Sequence, residues 1–153
     1  MLFGRIRLLL YLCIMNNTLL YSITPLSSFT KKELRVIASL CMEYCKDNLG
    51  VNRRRRKDIS ISIVKNPSSD IYYGDYCPTN NVVRIFHDEV PTLGQFTATI
   101  IHEYTHSLQP IATKYGKLMK KYGYDNHPHE IEARDNELIY NRRVLSYLRQ
   151  RLG

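Results

Sequence analysis

From Leu34 onward the apolar residues Leu34, Ile37, Ala38, Cys41 and Cys45 recur at three- and four-residue intervals, the spacing of one face of an α-helix. Thr30 and Glu33 stand at capping-box spacing before it, and Asn48 and Gly50 supply its stop signals. The period then shortens to two. Ile59, Ile61 and Ile63 alternate with serines, and residues 82–86 are rich in β-branched side chains, so two strands are predicted with a loop or a short third strand between them. That intervening stretch is punctuated by Pro67, Gly74 and Pro78, and Tyr72, Tyr73 and Tyr76 give it an aromatic tip suited to packing on the sheet or lining a cleft. A second helix opens at Thr92, with Gln95 in capping-box position, and closes before Pro110. A third, polar and lysine-rich, is predicted over Thr113 to Tyr122 and is ended by Gly123; the last begins near Pro128 and runs towards the C-terminus.

Composition narrows the class. A chain of 153 residues with 44% hydrophobic and 24% charged positions is large enough for one buried core and is neither disordered nor a repeat array. The formal charge of +8 favours acidic partners. Five of the positive charges stand together at Arg53, Arg54, Arg55, Arg56 and Lys57, a run read first as a solvated connection and second as a nucleic-acid contact. Cys13, Cys41, Cys45 and Cys77 form no C-x-x-C pair, which fits a reduced, cytoplasm-like compartment. Near the start, Arg5 and Arg7 precede the apolar stretch Leu8 to Met15, which is long enough for a signal peptide core but too short to span a bilayer. Residues 16–24 match a cleavage site poorly, and Met15 offers a second start. Residues 1–27 are therefore read as an N-terminal extension before a single domain over 28–153, with secretion following only if 1–24 act as a signal peptide.

The second helix carries the chemistry. His102-Glu103-Tyr104-Thr105-His106 is an H-E-x-x-H motif. Residues four apart lie one above the other on a helix, so both imidazoles reach one tetrahedral ion, while Glu103, about 100° further round, stands beside it as a base for water. With His102 as reference, Thr105, His106 and Gln109 fall on its side and Leu93, Phe96, Ile100 and Tyr104 opposite. No Lys or Arg stands between Arg84 and Lys114, so a carboxylate at Glu103 has no cationic neighbour in sequence.

Such a site needs a third protein ligand, and the last helix offers Glu130 and Glu132, two apart and so pointing roughly 200° from each other. Glu130 lies beside the stripe of Ile131, Leu138, Leu145, Leu148 and Leu152 and is the preferred ligand; Glu132, His127 and His129 are the alternatives. Arg134, Glu137 and Asn141 share the Glu130 face and are read as supporting the site, as holding substrate, or as a solvated helix end. Tyr122, Tyr124, His127 and His129 are candidate donors to a developing oxyanion.

On the motif helix and on Glu130-Ile131-Glu132-Ala133 the chain resembles the zincin metallopeptidases, and within them the gluzincins, nearer to the short minigluzincins and phage-type peptidases than to any large enzyme. The resemblance covers about residues 58–140. It implies an α+β, zincin-like fold: a small mixed sheet packed against the motif helix, an N-terminal helix and a long C-terminal ligand-bearing helix. It further implies one Zn2+ ion, a substrate strand pairing with the sheet edge, and hydrolysis of peptide bonds with Glu103 as general base. Two departures stand out. Gluzincins commonly carry an Asp four residues after the ligand Glu, where this chain has Arg134, and a histidine ligand would instead resemble SprT-type proteases, which His127 and His129 leave open. The competing classes are a basic nucleic-acid-binding or interaction module and a zinc-binding domain without catalysis.

Overall fold

The computed structural model describes residues 21–110 and 113–153. Among the described residues four complete α-helices and a three-stranded mixed sheet make an α+β domain: α1 (Lys31–Leu49), β1 (Ser60–Val64), β2 (Gly74–Cys77), β3 (Val82–Phe86), α2 (Leu93–Leu108), α3 (Thr113–Tyr122) and α4 (Pro128–Leu152). The Leu8 to Met15 stretch and Cys13 lie outside the described residues.

Local sequence accounts for the helix ends. Thr30 and Glu33 form a reciprocal capping box at α1. Thr92 accepts from the Gln95 amide at α2, but only this half of the expected box forms. Pro128 takes the first turn of α4, and Gly123, at φ +71°, turns the chain out of α3 in a conformation that favours glycine.

The sheet has the order β1-β3-β2, with β3 parallel to β1 and antiparallel to β2. The stretch left open as a loop or a third strand thus contributes β2, and β2 is an edge. Ile61 and Ile63 pair with Val83 and Ile85, and Gly74 and Tyr76 stand opposite Ile85 and Val83, so these six residues share one face. Asn81, the one non-glycine residue with positive φ among the described residues, locks the turn before β3. Its amide donates to the Lys57 carbonyl at 2.6 Å and its side-chain oxygen accepts from Tyr76 at 2.7 Å.

The helices α1 and α2 lie on the sheet, and α4 packs chiefly along α2. Ile37, Ala38, Cys41 and Cys45 of α1 meet Val83, Ile85, Phe96, Ile100, Ile101 and Tyr104 in one buried cluster, closed by Val144, Leu145 and Leu148. The cysteines act as small hydrophobes, and burial pushes both thiols up. Residues 21–27, expected to belong to an extension, are built into this body. Tyr21 and Leu26 are buried, Leu26 N donates to the Pro91 carbonyl, and Leu93 N donates to that of Thr24, both at 2.9 Å.

One expectation fails on α4. Ile131 and Leu138 were grouped with the buried stripe beside Glu130, but they are 42% and 82% exposed. The helix meets α2 there through small and polar residues such as Ala133, and its fully buried large apolar residues start only at Val144, after the partly buried Tyr140. A 25-residue helix is longer than the core it crosses, so one apolar stripe does not serve its whole length.

Candidate metal centre

The buried face of α2, with Leu93, Phe96, Ile100 and Tyr104, is anchored in the core and turns the opposite face to α4. Successive contacts run down one helix as they run up the other. Thr97 donates to Asn141 at 2.5 Å, Asn136 donates to Thr105 at 3.1 Å, and His102 and His106 meet Glu137 and Glu130. Asn141 also donates to the Gly94 carbonyl at 3.1 Å. This antiparallel polar seam places the motif opposite the start of α4.

The Glu130 carboxylate faces both imidazoles: Oε2 lies 3.2 Å from His102 Nε2 and Oε1 3.5 Å from His106 Nε2. One ligand atom from each of His102, His106 and Glu130 lies within 4.8 Å of the other two, so the cluster can hold a metal ion. Ligands of a tetrahedral ion with bonds of roughly 2.1 Å are spaced at about 3.4 Å, so the 3.2 and 3.5 Å separations of Glu130 from the two imidazoles already match.

Hydrogen bonds behind the ligands favour the same reading. The Glu137 carboxylate contacts His102 Nδ1, fixing the proton there and directing Nε2 to Glu130. Gln109 does the same for His106. Its amide nitrogen is committed to the His129 carbonyl at 2.9 Å and to Glu132 at 2.8 Å, so its oxygen is left to accept from His106 Nδ1 at 2.8 Å. Both rings therefore present Nε2 to one point. Glu132, an alternative ligand in sequence, serves instead to orient Gln109.

The charges point to a cation at that point. Burial disfavours a charged His102, but the carboxylates of Glu130 and Glu137 outweigh it and raise its pKa to about 10. Burial likewise opposes charge on Glu130, but bonds from His102 and Tyr115 hold its carboxyl down to about 2. A proton between His102 and Glu130 satisfies the pair, and a divalent ion competes for the same place. His106 behaves differently: burial pushes its pKa down, which keeps the ring neutral as a ligand must be.

Glu103 lines the same cleft of about 370 Å³. Burial pushes its carboxyl up to about 7, only partly opposed by His102 and reinforced by Asp75, Glu130 and Glu137. The other wall comes from Tyr72 and from Gly74, Asp75 and Tyr76 of the β2 edge.

The remaining candidates divide. His127 is fully buried and caps α4: its Nδ1 accepts from the His129 amide at 3.1 Å and its Nε2 donates to the Tyr115 carbonyl at 3.1 Å. It is a positioning residue, since its ring stacks on Tyr115 with centroids 4.0 Å apart. His129 and Tyr124 line the cleft, whereas Tyr122 is exposed beside Lys121 and does not. Arg134 turns away to the Asp125 carbonyl; of the other two residues that share the Glu130 face, Glu137 reaches His102, and Asn141 ties α4 to α2 at Thr97 and the Gly94 carbonyl, away from the centre. Tyr115 escaped the sequence reading. Its hydroxyl donates to Glu130 Oε1 at 2.8 Å, but it sits in a lysine-rich helix whose pattern carries no link to the motif. The only signal was an aromatic residue near the predicted ligand helix.

The chain matches no known family model, no curated protein and no solved structure. Among the described residues no helix is long and apolar enough to cross a membrane.

Proposed function

We propose that the protein is a zinc-dependent metallopeptidase of gluzincin type, holding one zinc ion through His102, His106 and Glu130 and cleaving peptide bonds with Glu103 as general base. The observation that carries this reading is the convergence of both Nε2 atoms on the Glu130 carboxylate beside a half-buried glutamate. Two neutral imidazoles and one carboxylate are a donor set suited to zinc with a position left for substrate. Zinc, when bound, supplies a Lewis acid and lowers the pKa of water towards neutrality.

The chain's own residues supply the rest. Glu103, which lines the same cleft as both imidazoles, takes the proton of the attacking water at its carboxylate and returns it to the leaving amine. Glu137 and Gln109 keep both ring protons on Nδ1. His129 and Tyr124 line the cleft as candidate donors to the oxyanion, while Tyr115, whose hydroxyl donates to Glu130, orients that carboxylate. The β2 edge offers unpaired backbone groups to an extended peptide, as the resemblance to zincins implies.

Elemental analysis and a fluorogenic peptide assay test this together. Glu103→Gln is expected to keep one zinc per chain and lose roughly 10²–10⁴-fold in rate, whereas His102→Ala and His106→Ala lose the metal. Equal zinc content in all three variants would remove the centre, and undiminished hydrolysis by Glu103→Gln would remove the base.

A further inference from the structure

Resting on the peptidase reading above, we infer that Arg55 is a specificity residue that selects peptides presenting a carboxylate to the cleft. Arg55 lines the same cleft as His102 and Glu103. It is the one Lys or Arg in that lining among the described residues, and it makes no ion pair. Asp75, the acidic group of the β2 wall, is already taken by Arg84, which holds it through two guanidinium nitrogens.

The Arg55 side chain is nonetheless held in place. Its guanidinium lies 5.5 Å from the centroid of the Tyr76 ring, and its Nη2 donates a long bond of 3.4 Å to the Gln109 carbonyl. Behind it the backbone is pinned to α2: Asn52 donates to the Ser107 carbonyl at 3.2 Å, and Arg55 N donates to the Asn52 carbonyl at 3.1 Å. Its Nε is shielded and has no hydrogen-bond partner. A guanidinium has five donors; the long bond to Gln109 uses one of them, and the shielded Nε–H goes unmatched, which is costly. A planar carboxylate is the group that matches the fork.

The surroundings extend the same preference. Past Gln109 and Pro110, which line both, a second hollow of about 700 Å³ is lined by Arg53, Arg54 and Lys114 and, among the described residues, by no acidic one. A peptide leaving the cleft on that side crosses a positive surface, which speeds the approach of acidic chains. Arg53, Arg54 and Arg55 of the basic run therefore stand at the cleft and the hollow beside it, where the run was first read as a solvated connection.

The carboxylate has two possible sources, an Asp or Glu side chain or the peptide's own C-terminus. Quenched fluorogenic peptides separate them: one series exchanges Glu for Gln at each position along the chain, and the other exchanges a free C-terminus for an amide. The zinc-loaded protein is expected to favour the carboxylate member of at least one series by ~10- to 100-fold in kcat/KM. Arg55→Gln should bring that ratio close to one, Arg55→Lys should retain part of it, and Arg142→Gln, the same loss of charge on exposed α4, should leave it unchanged. A ratio near one in the unaltered protein, or one untouched by Arg55→Gln, overturns the inference. Fluorescence anisotropy of the same labelled peptides on Glu103→Gln separates the two proposals. Selective binding without hydrolysis in any form leaves Arg55 standing and removes the peptidase; hydrolysis without selectivity does the reverse. Tighter binding of a DNA oligonucleotide than of every acidic peptide at equal salt also overturns it.

Discussion

The two halves of α4 are built on different physics. Its C-terminal half meets the core through Val144, Leu145 and Leu148, all buried, and owes its position to apolar area removed from water. Its N-terminal half buries Glu130 and Ala133, bonds to α2 through Asn136, Glu137 and Asn141, and leaves Ile131, Leu138 and Ile139 exposed. One rigid helix thus lets its apolar end fix the place of a polar end that would not be held by hydrophobic packing. Stability and chemistry are divided along a single element.

Substitution should expose that division. The largest contrast is between Glu130→Ala, expected to lose the bound metal and all measurable hydrolysis, and Leu148→Ala, expected to keep one metal per chain while losing roughly 2–5 kcal/mol of stability. Metal content and denaturant midpoints, read on both variants, separate the halves; a metal-free Leu148→Ala that remains folded would merge them. Next in size is Glu137→Gln. It keeps a contact to His102 but removes the charge that orients the ring, so metal affinity should fall roughly 10–100-fold, measured by competition with a chelating dye. The same assay should show little change for Arg134→Gln, whose side chain lies away from the centre.

A smaller effect concerns pH. The Glu103 carboxyl stands at about 7 in the fold against an ordinary value of 4.5, so the folded chain keeps its proton after the unfolded chain has lost it. Stability is untouched below 4.5, declines as pH rises between the two values, and stays lower above about 7. Glu103→Gln removes that penalty. In chelator-treated protein it should raise stability by on the order of 2 kcal/mol at pH 8 and hardly at all at pH 4, which melting curves at the two pH values will show. The smallest effect belongs to the exposed flank: Leu138→Gln should change stability by no more than about 0.5 kcal/mol and leave metal affinity alone.

How far the sequence could be read follows the same division. Signals carried by neighbours in the chain were legible, because capping and helix-face geometry act over three or four residues. Thr30 with Glu33, Pro128 at a first turn, and the turn-spaced His102 and His106 all belong here. The Glu130 side of α4 also emerged, although part of its warrant was mistaken, since Ile131 and Leu138 face solvent. Interactions set only by how α2 and α3 meet α4 stayed hidden. Nothing local says that Glu137 would take His102, that Gln109 would be turned by Glu132, or that Tyr115 would reach back to Glu130. Each pairing spans 15 to 35 residues and depends on where two helices cross.

Gly74 governs the breadth of the cleft. A β-carbon built there would stand 2.6 Å from the Arg84 carbonyl oxygen and 2.9 Å from the Thr99 methyl, so the strand rests on the ligand helix with no room for even one added methyl. The wall at this height is a fixed jaw, and any diversification of what the cleft admits has to arise from the opposing tyrosines and the arginine rim.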